Sequence, residues 1–203
     1  MANCLVAQSG GPTAAINATR RNPRHLVDYE LPENVTATSD RACALDGAEV
    51  VVLAVPSSYL RGTCASLAGL VPGDVPLLVL TKGVEVGTNE LMLDVVADEL
   101  GNRERIAVLS GPNHAEEVCL GKLSAAVLAS ETPEVASRLQ GLVVSQGFRV
   151  YVSGDVTGVE ICGAIKNVVA IACGAAAGFG AGDNALAVIM TRGLAEIGRV
   201  AAA

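Results

Sequence analysis

Aromatic residues are scarce in this sequence. Only 2% of its 203 residues are Phe, Trp or Tyr, and Trp is absent, although 51% are hydrophobic. The core must therefore consist of Val, Leu, Ile and Ala, a composition typical of buried parallel strands covered by helices. Because domains usually contain about 100 to 200 residues, the chain has room for one domain and the beginning of a second.

Basic clusters are also missing. The formal net charge is −7, from 21 acidic and 14 basic residues, and the longest basic run is Arg20-Arg21. Binding to nucleic acid requires a concentrated positive surface, so we expect no nucleic-acid partner.

The cysteines form no recognisable motif. None of the six belongs to a C-x-x-C pair, and no His-rich segment accompanies them. This pattern argues against a metal site and against a disulfide framework, and predicts buried, reduced thiols. The N-terminus lacks the features of a secretory signal, and no apolar run approaches the length needed to span a bilayer. We therefore expect a cytoplasmic protein with no membrane partner.

Short apolar runs alternate with amphipathic stretches between Val35 and Val152. This alternation indicates repeated strand–helix units and a parallel sheet. The predicted strands are 49–55, 75–80, 105–109, 124–129 and 148–152, and the predicted helices are 39–45, 57–67, 89–100, 113–120 and 133–145. Asp40, Ser57 and Thr132 are candidate helix starts. Two long apolar helices, 156–177 and 184–200, then predict a second, helical domain. Either a homodimer or a missing C-terminal segment would cover their apolar faces.

The N-terminus predicts a strand at 4–7, a glycine turn at 8–13 and a helix at 14–20. Gly10 and Gly11 would let backbone amides approach a phosphate at the helix N-terminus, or the turn binds nothing. A dinucleotide fingerprint, G-x-G-x-x-G with an acidic residue roughly twenty positions later, is absent. Residues 20–34 are predicted to form a loop where the second strand of that motif is expected.

Residues 3–18 resemble the beginning of diphosphate-dependent 6-phosphofructokinases, in which paired glycines lie near the transferred phosphate. No later motif of that family follows. The resemblance implies a foreign-looking strand–helix unit over 1–19 and a junction near Thr19. One functional hypothesis is therefore diphosphate-dependent phosphotransfer, with diphosphate bound at Gly10 and Gly11.

Three strand-to-helix turns carry candidate ligand-binding residues. Pro56 and Ser57 follow a predicted buried strand, at the edge where α/β sheets bind ligands, although the residues alone favour a simple strand-to-helix turn with Ser57 as N-cap. Lys82 follows the next strand and either meets an anionic ligand there or is a solvated loop residue. In the turn 110–115, backbone amides are placed to receive a phosphate or hydroxyl group. His114 in that turn is interpreted as a solvated or capping residue rather than a general base.

Lys166 is the candidate catalytic residue. On a helix its face comprises small or apolar residues, namely Val159, Cys162, Gly163, Val169, Ala170 and Cys173. An ammonium group there either extends to water or is buried with a lowered pKa, and the second state suits proton transfer to a hydroxyl or ketone. Asn167 and Asp183 are interpreted as orienting or capping residues outside the catalytic set.

A series of motifs from Asn22 to the last residues resembles NAD(P)-dependent glycerol-3-phosphate dehydrogenases of bacteria. The motifs are NPRHL (22–26), LPEN (31–34), VLAVPS (52–57), TKGVE (81–85), LSGPNHAEEV (109–118), GVEICGAIKNV (158–168), GDNA (182–185) and TRGLAE (191–196). The resemblance implies a Rossmann-like, doubly wound, mainly parallel α/β domain over 1–153. The first helices of an incomplete all-α, substrate-binding domain would follow over 154–203.

The resemblance also implies site residues. Lys166 is then the general acid/base and contacts the substrate, Lys82 binds both substrate and cofactor, Gly111 and Asn113 contact the substrate, and Ala115 contacts the cofactor beside Pro56 and Ser57. The implied reaction interconverts sn-glycerol 3-phosphate and dihydroxyacetone phosphate with NAD or NADP, for glycerophospholipid synthesis. Further substrate contacts of the family lie beyond residue 203. The alternative hypothesis is therefore a catalytically incomplete fusion or fragment without turnover.

Overall fold

The computed structural model describes residues 3–6 and 12–202. Its strands are β1 (Asn3–Val6), β2 (Val35–Thr38), β3 (Val51–Leu53), β4 (Leu77–Val79), β5 (Ile106–Ser110), β6 (Ser124–Ala129) and β7 (Phe148–Ser153). Its helices are α1 (Thr13–Thr19), α2 (Arg41–Leu45), α3 (Ser57–Leu67), α4 (Met92–Leu100), α5 (Ala115–Cys119), α6 (Pro133–Val143), α7 (Val156–Gly178) and α8 (Asp183–Ala201), with a 3-10 turn at Arg103–Arg105.

Strands β3 to β7 form one five-stranded sheet in sequence order. Strands β3, β4 and β5 are parallel, β6 runs antiparallel to β5, and β7 is parallel to β6. The structure confirms the mainly parallel α/β sheet and all five strands predicted for this region. The reversal at β6 was not predicted, because a strand's direction leaves no mark on its hydrophobic pattern.

Helices cover both faces of this sheet, as in a doubly wound fold. On one face, α3, α4 and the start of α7 pack on β3, β4 and β5 through a cluster that includes Leu60, Leu77 and Leu93. On the other face, α6 packs on β5, β6 and β7 around Leu128 and Leu139. Consecutive residues of β4 and β5 are buried on opposite faces, which explains why these strands appear as unbroken apolar runs in the sequence.

The first two strands form a separate, parallel two-stranded sheet. The predicted loop over 20–34 is confirmed, and the unpredicted strand β2 follows it and pairs with β1. Asn17 of α1 fastens this unit, since its side chain donates to the carbonyl oxygen of Ala37 at 2.8 Å and accepts from its N–H at 2.7 Å. Strand β3 lies at the edge of the separate five-stranded sheet, and its residue Val52 is 51% exposed. The predicted phosphate turn, including Gly10 and Gly11, lies largely outside the described residues.

Of the three residues predicted to start helices, Asp40 caps its helix with its side chain. Asp40 accepts from the N–H groups of Ala42 and Cys43 at 3.0 and 3.2 Å. Ser57 is the first residue of α3 behind Pro56, and Thr132 stands at the N-cap of α6 without a side-chain cap bond. Asp183 likewise begins α8 behind Gly182 instead of capping it. The prediction of capping was therefore wrong for Ser57 and Asp183.

The last two helices pack against each other. A Cβ added at Gly193 of α8 would lie 2.6 Å from a methyl carbon of Val169 on α7. By length and composition α7 is apolar enough to cross a membrane, so the expectation that no apolar run reaches that length was wrong. Only its first turns are buried, at Val156, Gly158, Glu160 and Gly163, and 6% of its most apolar window is buried.

The expectation of buried thiols is confirmed at one position. The five cysteines at 43, 64, 119, 162 and 173 are all free, but among them Cys64 alone is fully buried. Burial raises the pKa of the Cys64 thiol to about 11. This thiol packs as a small apolar core residue.

Candidate functional site

The candidate site lies at one edge of the sheet, where the parallel strands β3, β4 and β5 end. The segments 54–57, 81–83 and 111–113 follow these strands and meet at this edge. The hydroxyl of Thr81 donates to the carbonyl oxygen of Val55 at 2.7 Å. A Cβ added at Gly83 would lie 3.3 Å from the Oγ of Ser57. The turns after β3 and β4 are therefore in direct contact.

Lys82 joins the turn after β4 to the turn after β5. Its ammonium group donates to the carbonyl oxygen of Gly111 at 3.1 Å and to Oδ1 of Asn113 at 2.9 Å. Partial burial lowers the pKa of Lys82, and the positive charge of Lys166 lowers it further. Lys82 is half-buried, and its ammonium group faces these two oxygen acceptors.

Gly111 allows the turn after β5 to lie close to strand β6. An added Cβ would lie 2.6 Å from the carbonyl oxygen of Ala125 and 2.7 Å from the Cα of Ala126, both on β6. These are backbone atoms and cannot rotate away. Glycine therefore lets the turn after β5 lie against β6, and this position brings the carbonyl of Gly111 and the amide of Asn113 to Lys82.

Lys166 reaches the same region from α7. Its side chain is exposed and donates to Oδ1 of Asn167 at 2.9 Å. Of the two states inferred from the sequence, the structure shows the one that extends to water. Three residues earlier, Gly163 packs closely on the sheet edge, because an added Cβ would lie 2.6 Å from the Oγ of Ser110 and 3.8 Å from the Cγ of Lys82. This contact brings α7 beside Lys82.

The structure thus brings together Lys82, Gly111 and Asn113, with Lys166 near enough for its charge to lower the pKa of Lys82. The candidate cofactor contacts surround this centre. Ser57 touches the turn after β4 and is half-buried, Pro56 beside it is exposed, and Ala115 is the exposed first residue of α5. His114 is exposed at the N-cap of α5 without a side-chain cap bond, consistent with the solvated interpretation.

Glu160 is a site-lining residue that sequence reasoning missed. It is only 8% exposed and lines a small pocket together with Lys82 and Ser110. Its Oε1 accepts the backbone N–H of Leu93 at 3.0 Å, and burial raises the pKa of this carboxyl group to about 7. An acidic residue within a long apolar helix was the available signal, because buried carboxylates need a specific partner.

Over residues 3–6 and 12–202, no cluster of three or more His, Cys, Asp or Glu side chains has the arrangement of a metal site. Three strand ends present backbone groups at this edge beside Lys82, and the carboxyl ends of strands are where α/β sheets bind dinucleotides. The residues of the glycine turn, which would face the pyrophosphate, are not among those described.

Two family models match the chain. Residues 4–136 match the model for the N-terminus of NAD-dependent glycerol-3-phosphate dehydrogenase, and residues 155–203 match the model for its C-terminus. The first match begins inside the segment that resembles phosphofructokinases. These comparisons do not test that resemblance, which stays a prediction.

Individual relatives show the same similarity. The chain is 46% identical over 185 residues to the NAD(P)+ glycerol-3-phosphate dehydrogenase of Clostridium perfringens, covering 91% of this chain and 56% of that one. It is 48% identical over 196 residues to the enzyme of the same name from Nocardia farcinica, covering 92% and 57%. The chain therefore spans about half the length of the curated relatives it matches.

Solved structures resemble the fold as well. A glycerol-3-phosphate dehydrogenase from Coxiella burnetii is 35% identical with a TM-score of 0.85, over 94% of this chain and 58% of that one. The corresponding protein of Dunaliella salina is 33% identical with a TM-score of 0.86, over 97% of this chain and 34% of that one.

Proposed function

Because this chain belongs to the NAD-dependent glycerol-3-phosphate dehydrogenase family, we propose that it carries the central catalytic residues of an NAD(P)-dependent oxidoreductase. The proposed reaction interconverts sn-glycerol 3-phosphate and dihydroxyacetone phosphate, and its product serves glycerophospholipid synthesis. One observation carries this proposal: at the strand ends, where α/β sheets bind ligands, Lys82 donates to Gly111 and Asn113, and a Cβ added at Gly163 of α7, the helix of Lys166, would lie 3.8 Å from the side-chain stem of Lys82.

Lys82 is the proposed substrate anchor. Its ammonium group already faces two oxygen acceptors, on Gly111 and Asn113, so a substrate oxygen can take up or share these interactions. The group is partly buried, and an interaction with an anionic oxygen is stronger there than in water. Asn113 and the backbone of Gly111 would then orient the substrate hydroxyl or phosphate group.

Lys166 is the proposed general acid/base. Its exposed ammonium group can exchange protons with solvent and lies near Lys82, so it is placed to give a proton to the C2 oxygen of dihydroxyacetone phosphate or to take it from glycerol 3-phosphate. Pro56, Ser57, Lys82 and Ala115 would hold the dinucleotide. When bound, its nicotinamide supplies or accepts the hydride at C2.

The proposal includes the organisation of the chain. The boundary after residue 153 divides a dinucleotide-binding domain from the beginning of a helical substrate domain, supported by the second family match beginning at residue 155. A cytoplasmic location and a homodimer stay predictions. The alternative, a fragment without turnover, is motivated by exposed apolar residues on α7 and α8, such as Ile171 and Leu194.

Oxidation of NADH and of NADPH with dihydroxyacetone phosphate tests the proposal, monitored by absorbance on the purified chain. We expect turnover that Lys166→Ala reduces by at least about a hundredfold, because a positioned general acid/base contributes roughly that factor or more. Lys122→Ala is the matched control, since Lys122 is exposed and paired with Glu117 away from the site. Well-folded protein without turnover supports the fragment hypothesis. Equal turnover in wild type and Lys166→Ala contradicts the assigned role.

A further inference from the structure

Glu160 connects two helices beneath the proposed site. Helix α4 begins behind Leu91, whose side chain makes no cap bond. The first amides of a helix have no partner within it and must be satisfied from outside. The carboxyl oxygen of Glu160 accepts one of them, the N–H of Leu93, although the two residues are 67 positions apart in the chain. Glu160 therefore caps α4 from α7.

The same helix carries Lys166. Glu160 and Lys166 are six residues apart, which corresponds to roughly 9 Å along a helix at about 1.5 Å per residue. Gly163 lies midway and approaches Ser110 and the side-chain stem of Lys82. Glu160, Gly163 and Lys166 therefore lie on one helix, so that a displacement of α7 at Glu160 would move Gly163 and Lys166 with it.

We propose that Glu160 is a positioning residue: its hydrogen bond to the first turn of α4 fixes where α7 lies against the sheet edge and thereby sets the separation of Lys82 and Lys166. The inference rests on the proposed function only because that function gives Lys82 and Lys166 their roles. Glu160 itself does not need to contact the substrate.

Titration of the lysine side chains tests this without cofactor or turnover. The chain contains only three lysines, Lys82, Lys122 and Lys166, so reductive methylation with a 13C label gives a spectrum that single substitutions assign. In Glu160→Ala we expect the pKa of Lys82 to rise toward the ordinary value of 10.5, because α7 no longer buries it or holds Lys166 nearby. Glu160→Gln keeps an acceptor oxygen and should leave Lys82 close to wild type. The exposed Lys122 is the internal reference.

Asp155→Ala is the matched control on the same helix. Asp155 accepts the N–H of Gly158 at 2.8 Å and so caps α7 itself without linking it to α4. We expect this variant to lower thermal stability but to leave the Lys82 titration unchanged. Hydrogen exchange should show faster exchange of the Leu93 amide in Glu160→Ala only.

Two results would overturn the inference: folded Glu160→Ala with an unchanged Lys82 titration, or an equal shift in Asp155→Ala. If Glu160→Ala does not fold, Glu160→Asp decides by the same titration, because its shorter side chain withdraws the acceptor from Leu93 while keeping the charge. Missing turnover in the dehydrogenase assay would contradict the proposed function and leave this result unaffected.

Discussion

At the scale of single residues, Glu160 is a carboxyl group that the fold holds in an unfavourable environment for its charge. Burial raises its pKa from 4.5 to about 7, while the N–H groups of Leu93 and Met92 act in the opposite direction. Among the neighbouring charges, Asp94 raises this pKa and Arg103 lowers it. The folded state therefore favours the protonated form.

This environment makes stability depend on pH. Because the folded pKa is the higher one, the stabilising contribution is complete below about pH 4.5 and is lost as pH rises through about 7. Glu160→Gln cannot ionise. Between pH 5 and 8 we therefore expect wild type to lose on the order of 2 kcal/mol of unfolding free energy relative to Glu160→Gln.

Urea unfolding at both pH values measures this difference. Glu104→Gln, at an exposed position, controls for the loss of one negative charge. An equal pH dependence in wild type and Glu160→Gln would show that the carboxyl group is not buried as described.

The candidate site was predictable from the sequence where residues follow strands directly. Lys82 and Gly111 come immediately after apolar strands, so their place at the sheet edge follows from the strand pattern and parallel geometry. Glu160 was not predictable in this way, since its partner Leu93 is distant in sequence and the partner group is a backbone amide. The exposure of Lys166 was not predictable either. It depends on how α7 packs, and the small residues around Lys166 are compatible with both a buried and an exposed side chain.

At the scale of secondary-structure elements, hydrophobic periodicity located the strands of the main sheet and most helices. Helix α3 and strand β6 were predicted with the observed boundaries. Several helices are shorter than predicted at their N-termini, α4 beginning at Met92 and α5 at Ala115, because the preceding polar residues form turns. Strand β2 was missed because its burial alternates over only four residues.

The packing of α8 on α7 depends on a single small residue. We expect Gly193→Ala to destabilise the protein by about 1 to 3 kcal/mol, as typical of overpacking, because its Cβ would meet the branched side chain of Val169. Gly198→Ala on the same helix has free space around it and should stabilise by up to about 1 kcal/mol through helix propensity. Urea unfolding followed by circular dichroism compares the two. Similar effects would mean that the helices do not approach closely at Gly193.

At the scale of the whole molecule, one arginine connects three separate segments. Arg61 of α3 binds Glu85 at 2.8 Å and Glu90 at 2.6 Å in the segment before α4. It also binds Glu99 at 2.9 Å and Asp98 at 3.3 Å on α4. The neighbouring carboxylates raise the pKa of Arg61, and Arg61 in turn lowers that of Glu85. Without this guanidinium group, several carboxylates would repel one another.

We therefore expect Arg61→Met to lower the melting temperature, and high salt to restore part of the loss by screening the carboxylates. Arg192→Met is the control, since Arg192 makes one exposed pair with Glu196 on its own helix. Calorimetry with and without salt measures both variants. A loss in Arg61→Met no larger than in Arg192→Met would contradict a connecting role.

The reversal of direction between β5 and β6 affects how this molecule can change. Two neighbouring parallel strands need a crossover connection that returns from one end of the strands to the other. Strands β5 and β6 are antiparallel, so β5 ends and β6 begins at the same edge of the sheet. The segment 111–123, which carries Gly111, Asn113 and Ala115, therefore only has to turn back. Insertions or deletions in its outer part, around α5, would leave the strand order intact. Evolution or design can therefore lengthen the segment 111–123, which lines the crevice, to accept a different substrate without a change in the sheet.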